Sequence, residues 1–519
     1  MTENKNKATT PASQPSGLSK ALASVRGCAL SRKWLSSLLS PFGWLKAGRN
    51  QSMEARVAIP ARVLTYLQGQ GINYELIPLP QTHSLREAAD KAKLPLSQVV
   101  RATVLEAGDD LLMAILPVDH LLDFSTLLAS LREELGIAGE ARVERIFQGC
   151  ERGCRPPLPE LFNLQAAVDT SLLTLPAVYI EPGTHDCLLR IGQADFTRLV
   201  RRARPGQFSV PREQLRTANA EAERKLDSSV SQLTPVRMRQ RVEETFDLPA
   251  MPEIAQQVMR LRVDPNATAA DLAGIVNRDP SLAAQVISWA SSPYYGFQGS
   301  IRSVEDAITR VLGFELVMNL ALGIAVGKSL KVPHDGPLGL KAFWRQAIYS
   351  AVLAERLTRQ IPAKLRPQRG LVYLAGLLHN FGHLLLAHVF PPQFFLVNRY
   401  VEVNSHLAIA DIESHVLGVN YQEIGAWLMQ AWHMPDELIE AVRWHHQEEF
   451  SSPYSAYSNV VLLAGRLLAR YGMSDDRNTA LPEAVLEFLN LTREQAEAVL
   501  EDVMAQGSEL DNLSRQLAA

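Results

Sequence analysis

From residue 246 to 505 the chain is written almost entirely in helical periodicity, and that constrains half of the fold before any motif is considered. Pro252 to Leu261 puts Ile254, Val258 and Leu261 on one face, the stripe that an amphipathic helix buries. Thr268 stands where it can cap Ala269 to Asn277, Asp279-Pro280 opens Ser281 to Ser291, and Ser303 with Asp306 approximates a capping box ahead of Gly313. The same pattern predicts helices over 314–330, 341–360, 371–389, 405–417, 421–432, 435–446, 456–471, 482–489 and 493–505. Strand-like runs scarcely interrupt it. Helices with one apolar stripe must bury it against one another, so this half is an all-α bundle.

Within the bundle, Leu374 to His388 reads LAGLLHNFGHLLLAH. His379 and His383 are four apart and would share a face of one helix. A histidine followed by a carboxylate on a buried helix is a common way to hold a catalytic divalent metal. Here Asn380 takes the carboxylate's place. The segment has the frame of a metal hydrolase with its chemistry removed.

The first half is written differently. Residues 57–203 mix the two periods and read as an α/β domain. Pro60 to Gln68 is helical, Asn73 to Leu79 alternates like a strand, and Ser84 with Glu87 forms a capping box for a helix to Lys93. Val99 to Leu105 and Leu111 to Val118 are strands around the turn Gly108-Asp109-Asp110. Leu121 to Leu135 is predicted as a helix ended by Gly136, and Ala167 to Val168, Ala177 to Ile180 and Asp186 to Ile191 supply short strands. Residues 204–245, rich in Arg, Glu, Gln and Ser, read as a charged helical linker.

Ahead of both halves, no Asp or Glu occurs between Glu3 and Glu54 while eight Lys or Arg do, so residues 1–52 form a basic arm, plainly read as a disordered tail. The segment from Lys33-Trp34-Leu35 to Trp44-Leu45-Lys46 could alternatively touch an anionic surface. The net charge of -3 supplies no global field for nucleic acid, and any RNA contact must be local. Four cysteines in 519 residues suit a reducing compartment, and no apolar run of 18 or more residues predicts a transmembrane helix. Cys150, Cys154, His185 and Cys187 could in principle make a four-ligand zinc set, but His-x-Cys is an unusual second half. Reduced, non-ligating thiols are therefore expected, with no metal and no cofactor.

The order of elements in the first half, with VVRATVLEAGDDLLMAILPVDHLLD (99–123) and the segment from Phe147 to Phe196, resembles the YbaK/ProX family of aminoacyl-tRNA deacylase domains. The resemblance implies ester hydrolysis on mischarged tRNA and contact with aminoacyl-tRNA. It places a substrate-positioning lysine where this chain has Arg101, the candidate catalytic residue. It also places a substrate-binding glycine-rich loop at Gly149, Gly153 and Pro156, where a backbone without Cβ can approach a ligand. Arg101 keeps the charge but is wider and planar.

The second half resembles the HDOD family, a regulatory offshoot of the HD hydrolases. The match runs through 248–322, the His379 segment and 418–447, with Pro252, Asp279-Pro280, Gly313, Pro435 and His445-His446 in agreement. By position, the first metal histidine falls at Gln346, the His-Asp pair at His379-Asn380 and a later histidine at Tyr421. His379, His445 and His446 remain, the last two expected at the mouth of the old cleft. Loss of the carboxylate is the heaviest loss, since neutral Asn is a weak ligand for a hard cation. The resemblances imply a bacterial, cytoplasmic signalling protein. It would comprise the arm 1–52, a deacylase-like domain 53–203, the linker 204–245 and an HDOD domain 246–519 that works through protein partners. An active trans-editing deacylase controlled by the HDOD domain is the alternative.

Overall fold

The computed structural model describes residues 59–107, 110–131, 135–215 and 251–518, all within one compact unit spanning Arg56–Ala519. The basic arm, the Gly108-Asp109 turn and linker residues 216–245 lie outside the described residues.

The first half opens with α1 (Ala61–Gly69), β1 (Tyr74–Pro78) and α2 (Leu85–Ala92), whose first turn is capped by Ser84 Oγ accepting the Glu87 N–H. There follow β2 (Val100–Ala107), β3 (Asp110–Pro117), β4 (His120–Leu122), α3 (Phe124–Leu131), β5 (Leu135–Ile137) and α4 (Glu140–Ile146). The half closes with β6 (Gln165–Asp169), α5 (Thr170–Leu173), β7 (Ala177–Ile180), β8 (Cys187–Gly192), α6 (Gln193–Leu199), β9 (Arg204–Gly206) and β10 (Ser209–Pro211). A mixed five-stranded sheet runs β5-β2-β3-β6-β9, beside an antiparallel sheet β1-β8-β7 and a β4–β10 ladder.

Two expectations change here. The helix foreseen over 121–135 is a strand, a shorter helix and a second strand. Pairing of His120–Leu122 with Ser209–Pro211 and of Leu135–Ile137 with β2 outweighs the local helical pattern. Residues 204–211, expected to open the linker, instead complete two sheets: β9 lies parallel to β6, and β10 pairs with β4.

The second half is helical, as its periodicity requires: α7 (Glu253–Arg262), α8 (Ala269–Val276), α9 (Pro280–Ala290), α10 (Phe314–Lys328), α11 (Leu340–Gln360), α12 (Arg369–Leu378), α13 (Phe381–Val389) and α14 (Pro391–Val403). Then come α15 (Ile409–Leu417), α16 (Tyr421–Ala431), α17 (Asp436–Trp444), α18 (Ser455–Ala469), α19 (Glu483–Leu489), α20 (Arg493–Ala505) and α21 (Gly507–Ala518). Thr268 forms a full capping box with Asp271, and Asp279 caps α9 with Pro280 in its first turn. The single helix foreseen over 371–389 is broken at His379-Asn380. Gly382, just past the break, meets the backbone of α16 so closely that a Cβ would fall 1.9 Å from the Tyr421 carbonyl oxygen. Arg369–Val389 is long and apolar enough to cross a membrane by length and composition, and its apolar window is wholly buried inside the protein.

The halves meet across the five-stranded sheet. Successive strand residues face opposite ways. On β2 and β3, Val100, Ala102, Val104, Met113 and Ile115 join the core of the first half, while Leu105, Leu112, Ala114 and Leu116 join the core of the helical half. Arg399 donates to the Leu135 carbonyl, Tyr400 donates to Asp123, and Arg212 pairs with Asp411 at 3.1 Å.

Candidate functional site

The remnants of the HD motif do converge. α11 supplies Gln346, the α12–α13 break supplies His379 and Asn380, α16 begins at Tyr421, and His445-His446 follows α17. His379 Nδ1 lies 2.7 Å from the Gly376 carbonyl oxygen, to which it donates, leaving Nε2 to accept from the Gln346 amide at 3.3 Å. Two positions aligned with the metal motif, Gln346 and His379, are thus bonded to each other. His445 Nδ1 donates to the Val442 carbonyl at 2.9 Å, so its Nε2 accepts from the Tyr421 hydroxyl at 3.1 Å. The same hydroxyl accepts from His446 Nε2 at 2.7 Å. The Tyr421 ring stacks on His383, with centroids 4.1 Å apart. A fully buried tyrosine therefore sits among His383, His445 and His446. Asn380 is buried, and its Oδ1 finds no partner among the described residues.

His445, expected at the cleft mouth, is buried, while His446 is partly exposed. His379 and His383 were read as one face of one helix, but they stand on either side of the break and serve different partners. His383 turns to residues that sequence reasoning missed. Its Nδ1 is 3.1 Å from Glu413 Oε1 on α15, and its Nε2 is 3.6 Å from Asp475 Oδ2. Glu413 Oε2 also accepts the Tyr421 N–H at 2.6 Å. Next to these, Asp476 pairs with Arg466 at 2.9 Å, and Arg466 with Glu448 at 2.7 Å. The available signal was Glu413 in IADIESHVL, an acid one residue after Ile412 and off the Asp411 face.

Burial dominates at His379. It lowers the imidazole to about 4, with the Asp475 charge opposing. A histidine kept neutral by the fold contributes stability above its unfolded pKa of about 6.5, and that contribution falls away as acid reaches the folded value. Urea titrations should therefore show the helical half weakening between pH 6.5 and about 4, by about 3 kcal/mol from this residue. His379→Gln should make that limb shallower, with the buried His406 and His445 supplying the rest, and an unchanged slope would remove His379 as a source.

In the first half, Gly149 and Gly153 adopt φ values of +94° and +90°, which a side chain would strain. They line a cavity of about 320 Å³ together with Phe147, Cys150 and Arg152. Pro156 is buried beside the loop and is not among the lining residues, and neither is Arg101. Arg101 is on the β2 face that looks at the helical half. Its Nη1 donates to the Val403 carbonyl at 3.0 Å and to Thr103 Oγ1 at 2.8 Å. Its Nη2 donates to Asn404 Oδ1 at 2.8 Å and to the His120 carbonyl at 3.2 Å. Burial and the nearby Arg155 charge lower it to about 9, with no carboxylate bonded to it among the described residues. Asn404, 0% exposed, also accepts the Leu122 N–H at 2.7 Å and donates to the Leu122 carbonyl at 3.2 Å. His406 reaches the His120 carbonyl at 3.3 Å, and burial holds it well below its ordinary pKa. A larger cavity of about 940 Å³ opens elsewhere in the helical half, near Tyr294, Arg356 and Tyr373.

The fold defines a class: an α/β domain of mixed sheets joined to an all-helical domain. The comparisons agree. The aminoacyl-tRNA editing domain matches residues 79–199, and the HDOD domain matches residues 248–448. A solved structure from Marinobacter aquaeolei VT8, described as a candidate signal transduction protein, is 34% identical with a TM-score of 0.75, covering 88% of this chain and 99% of its own. The chain belongs to that family, HDOD proteins that carry an aminoacyl-tRNA editing domain in front. An HDOD domain protein with unknown function from Geobacter sulfurreducens is 19% identical with a TM-score of 0.46, covering 54% of this chain and 99% of its own. A Treponema pallidum (strain Nichols) protein, named uncharacterized, is 24% identical over 253 residues, 48% of this chain. The chain spans 47% of that curated relative's length.

Proposed function

We propose that this chain is a bacterial cytoplasmic regulatory protein. In it an editing-type domain reads aminoacyl-tRNA, or its acyl group, without hydrolysing it, and a silent HDOD domain passes the result to protein partners. The observation that carries the reading is the position of Arg101. The residue at the family's substrate-positioning site is buried against Val403 and Asn404, so its hydrogen bonds hold the helical half. The filling of the HD cleft by Tyr421 supports the second part. In this reading Gly149 and Gly153 keep a loop cavity open for recognition, and Gln346, His379, Asn380, Tyr421, His445 and His446 serve as packing and hydrogen-bonding groups.

The test is a deacylation assay on the full chain with a panel of mischarged tRNAs, run for wild type and Arg101→Lys. Binding is followed by gel shift, and phosphodiester hydrolysis with added manganese runs in parallel. Expected are retained binding to at least one charged tRNA and no turnover above the tRNA-alone rate in either protein. Wild-type deacylation would overturn the reading and make the chain a trans-editing hydrolase with a controlling HDOD half. Phosphodiester cleavage would overturn its silent-domain part.

A further inference from the structure

The cysteines and histidine of the glycine-rich loop do not form the set that spacing suggested. Cys187 Sγ is buried 3.5 Å from Thr184 Oγ1, and Cys150 Sγ lies against Gly183. Cys154 and His185, by contrast, come together across two separate segments. Cys154, 1% exposed, sits with Sγ 3.3 Å from His185 Nδ1 and 3.5 Å from Nε2. Glu181, also buried, places Oε1 2.8 Å from His185 Nδ1. Glu151 reaches the same spot from the solvent side: one ligand atom each of Glu151, Cys154 and His185 lies within 4.8 Å of the others. The backbone is tied there too, with the Glu151 N–H bonded to the Gly183 carbonyl at 2.8 Å. Gly153 has no Cβ, and one placed on its backbone would stand 3.8 Å from His185 Nε2, so the ring can lie against the loop.

We propose that Cys154, His185 and Glu151, with Glu181 beside them, bind a zinc ion that clamps the glycine-rich loop to the β7–β8 connection. The distances suit it. Zinc bonds of about 2.3 Å to sulfur and about 2.0 Å to imidazole nitrogen, at a tetrahedral angle, put the two ligand atoms about 3.5 Å apart. The Cys154–His185 separation is already that edge. Glu151, whose Oε2 already accepts the His185 N–H at 2.7 Å, must turn by roughly an ångström to close its edge. A thiolate, an imidazole and carboxylates are a donor set that selects zinc over hard cations such as magnesium. Two carboxylates, Glu151 and Glu181, around one histidine also leave a surplus of negative charge for a cation to neutralise. The clamp would fix the wall of the 320 Å³ cavity that Gly149 and Gly153 line. The claim does not depend on whether that cavity hydrolyses anything.

The test uses the full chain, purified without chelator. Elemental analysis should give about one zinc per chain. Cobalt exchanged into the protein should give a near-ultraviolet thiolate-to-cobalt charge-transfer band. Cys154→Ser should lose the band and most of the zinc, and Cys187→Ser, outside the cluster, should keep both. Tryptophan emission and circular dichroism establish that each variant is folded. Should Cys154→Ser fail to fold, His185→Asn with the wild-type spectrum decides the matter. A wild-type protein with no zinc and no charge-transfer band under saturating cobalt overturns the site. So does a band that survives loss of Cys154, or one that vanishes with Cys187.

Discussion

Replacing Asn404 with alanine should cost about 4 kcal/mol and uncouple the unfolding of the two halves. Asn404 makes three bonds in a site closed to water, and one of them goes to a guanidinium. Hydrogen bonds to charged groups contribute about 1.5–3 kcal/mol, and each buried donor or acceptor left unpaired costs about 1–3. Alanine removes the Asn404 acceptor from Arg101 Nη2, which keeps only the His120 carbonyl, and leaves both backbone groups of Leu122 without their partner. Asn404→Asp is the discriminating companion. Its carboxylate can still accept from Arg101 and from the Leu122 N–H, losing only the donation to the Leu122 carbonyl, so it should lose less than alanine does. The described tryptophans, Trp289, Trp344, Trp427, Trp432 and Trp444, all lie in the helical half. Guanidinium titrations followed by emission report that half, and those followed by circular dichroism report both. Coincident wild-type transitions that separate in Asn404→Ala are the expected outcome. A loss under about 0.5 kcal/mol, the range of ordinary surface changes, would mean that Arg101 and Asn404 do not hold the halves together.

The second large effect belongs to His383. Burial opposes its charge, yet Glu413 and Asp475 prevail and raise it to about 9, while Asp475 is held below the usual carboxylate range by the same imidazolium. His383→Gln removes the cation and leaves two carboxylates facing a closed interior. Breaking a buried pair in this way costs about 3–5 kcal/mol. The pH dependence carries its own sign. A histidine whose folded pKa lies above the unfolded value of about 6.5 stabilises fully below 6.5, and the contribution is lost as pH rises through about 9. Wild type should therefore weaken on the alkaline side, opposite to the acid limb assigned to His379, and His383→Gln should show no alkaline limb. If emission-monitored midpoints of wild type and variant fall in parallel from pH 6.5 to 9, the network is not charged as described.

Much of this was legible in the sequence. The helices of the second half carry their own signals in caps and apolar stripes, and Thr268, Asp279 and Ser303 cap where they were expected to. The gathering of Gln346, His379, Tyr421, His445 and His446 followed from motif positions. What failed depends on distant partners. His120–Leu122 looks helical locally, and only β10, nearly ninety residues away, makes it a strand. The break after Leu378 comes where α13 meets α16 at Gly382 and Gly425, a contact no local pattern announces. Arg101 was read against a ligand pocket, because nothing in residues 99–123 says that Val403 and Asn404 will lie over it. Glu413 and Asp475 escaped notice since an acid in a helix or turn is ordinary until its histidine is placed.

The sheet face shared by the halves bears on how this protein can be cut and how it changes over generations. Leu105, Leu112, Ala114, Leu116 and Leu121 count toward the interior of the helical half although they are encoded in the first. A fragment ending near residue 215 would present that row of side chains, with Arg101 among them, bare to water. Such a surface invites self-association. The boundary that sequence families draw between the two domains is a boundary of ancestry. It is not a seam along which the molecule comes apart, and substitutions on either side of it must be tolerated by both.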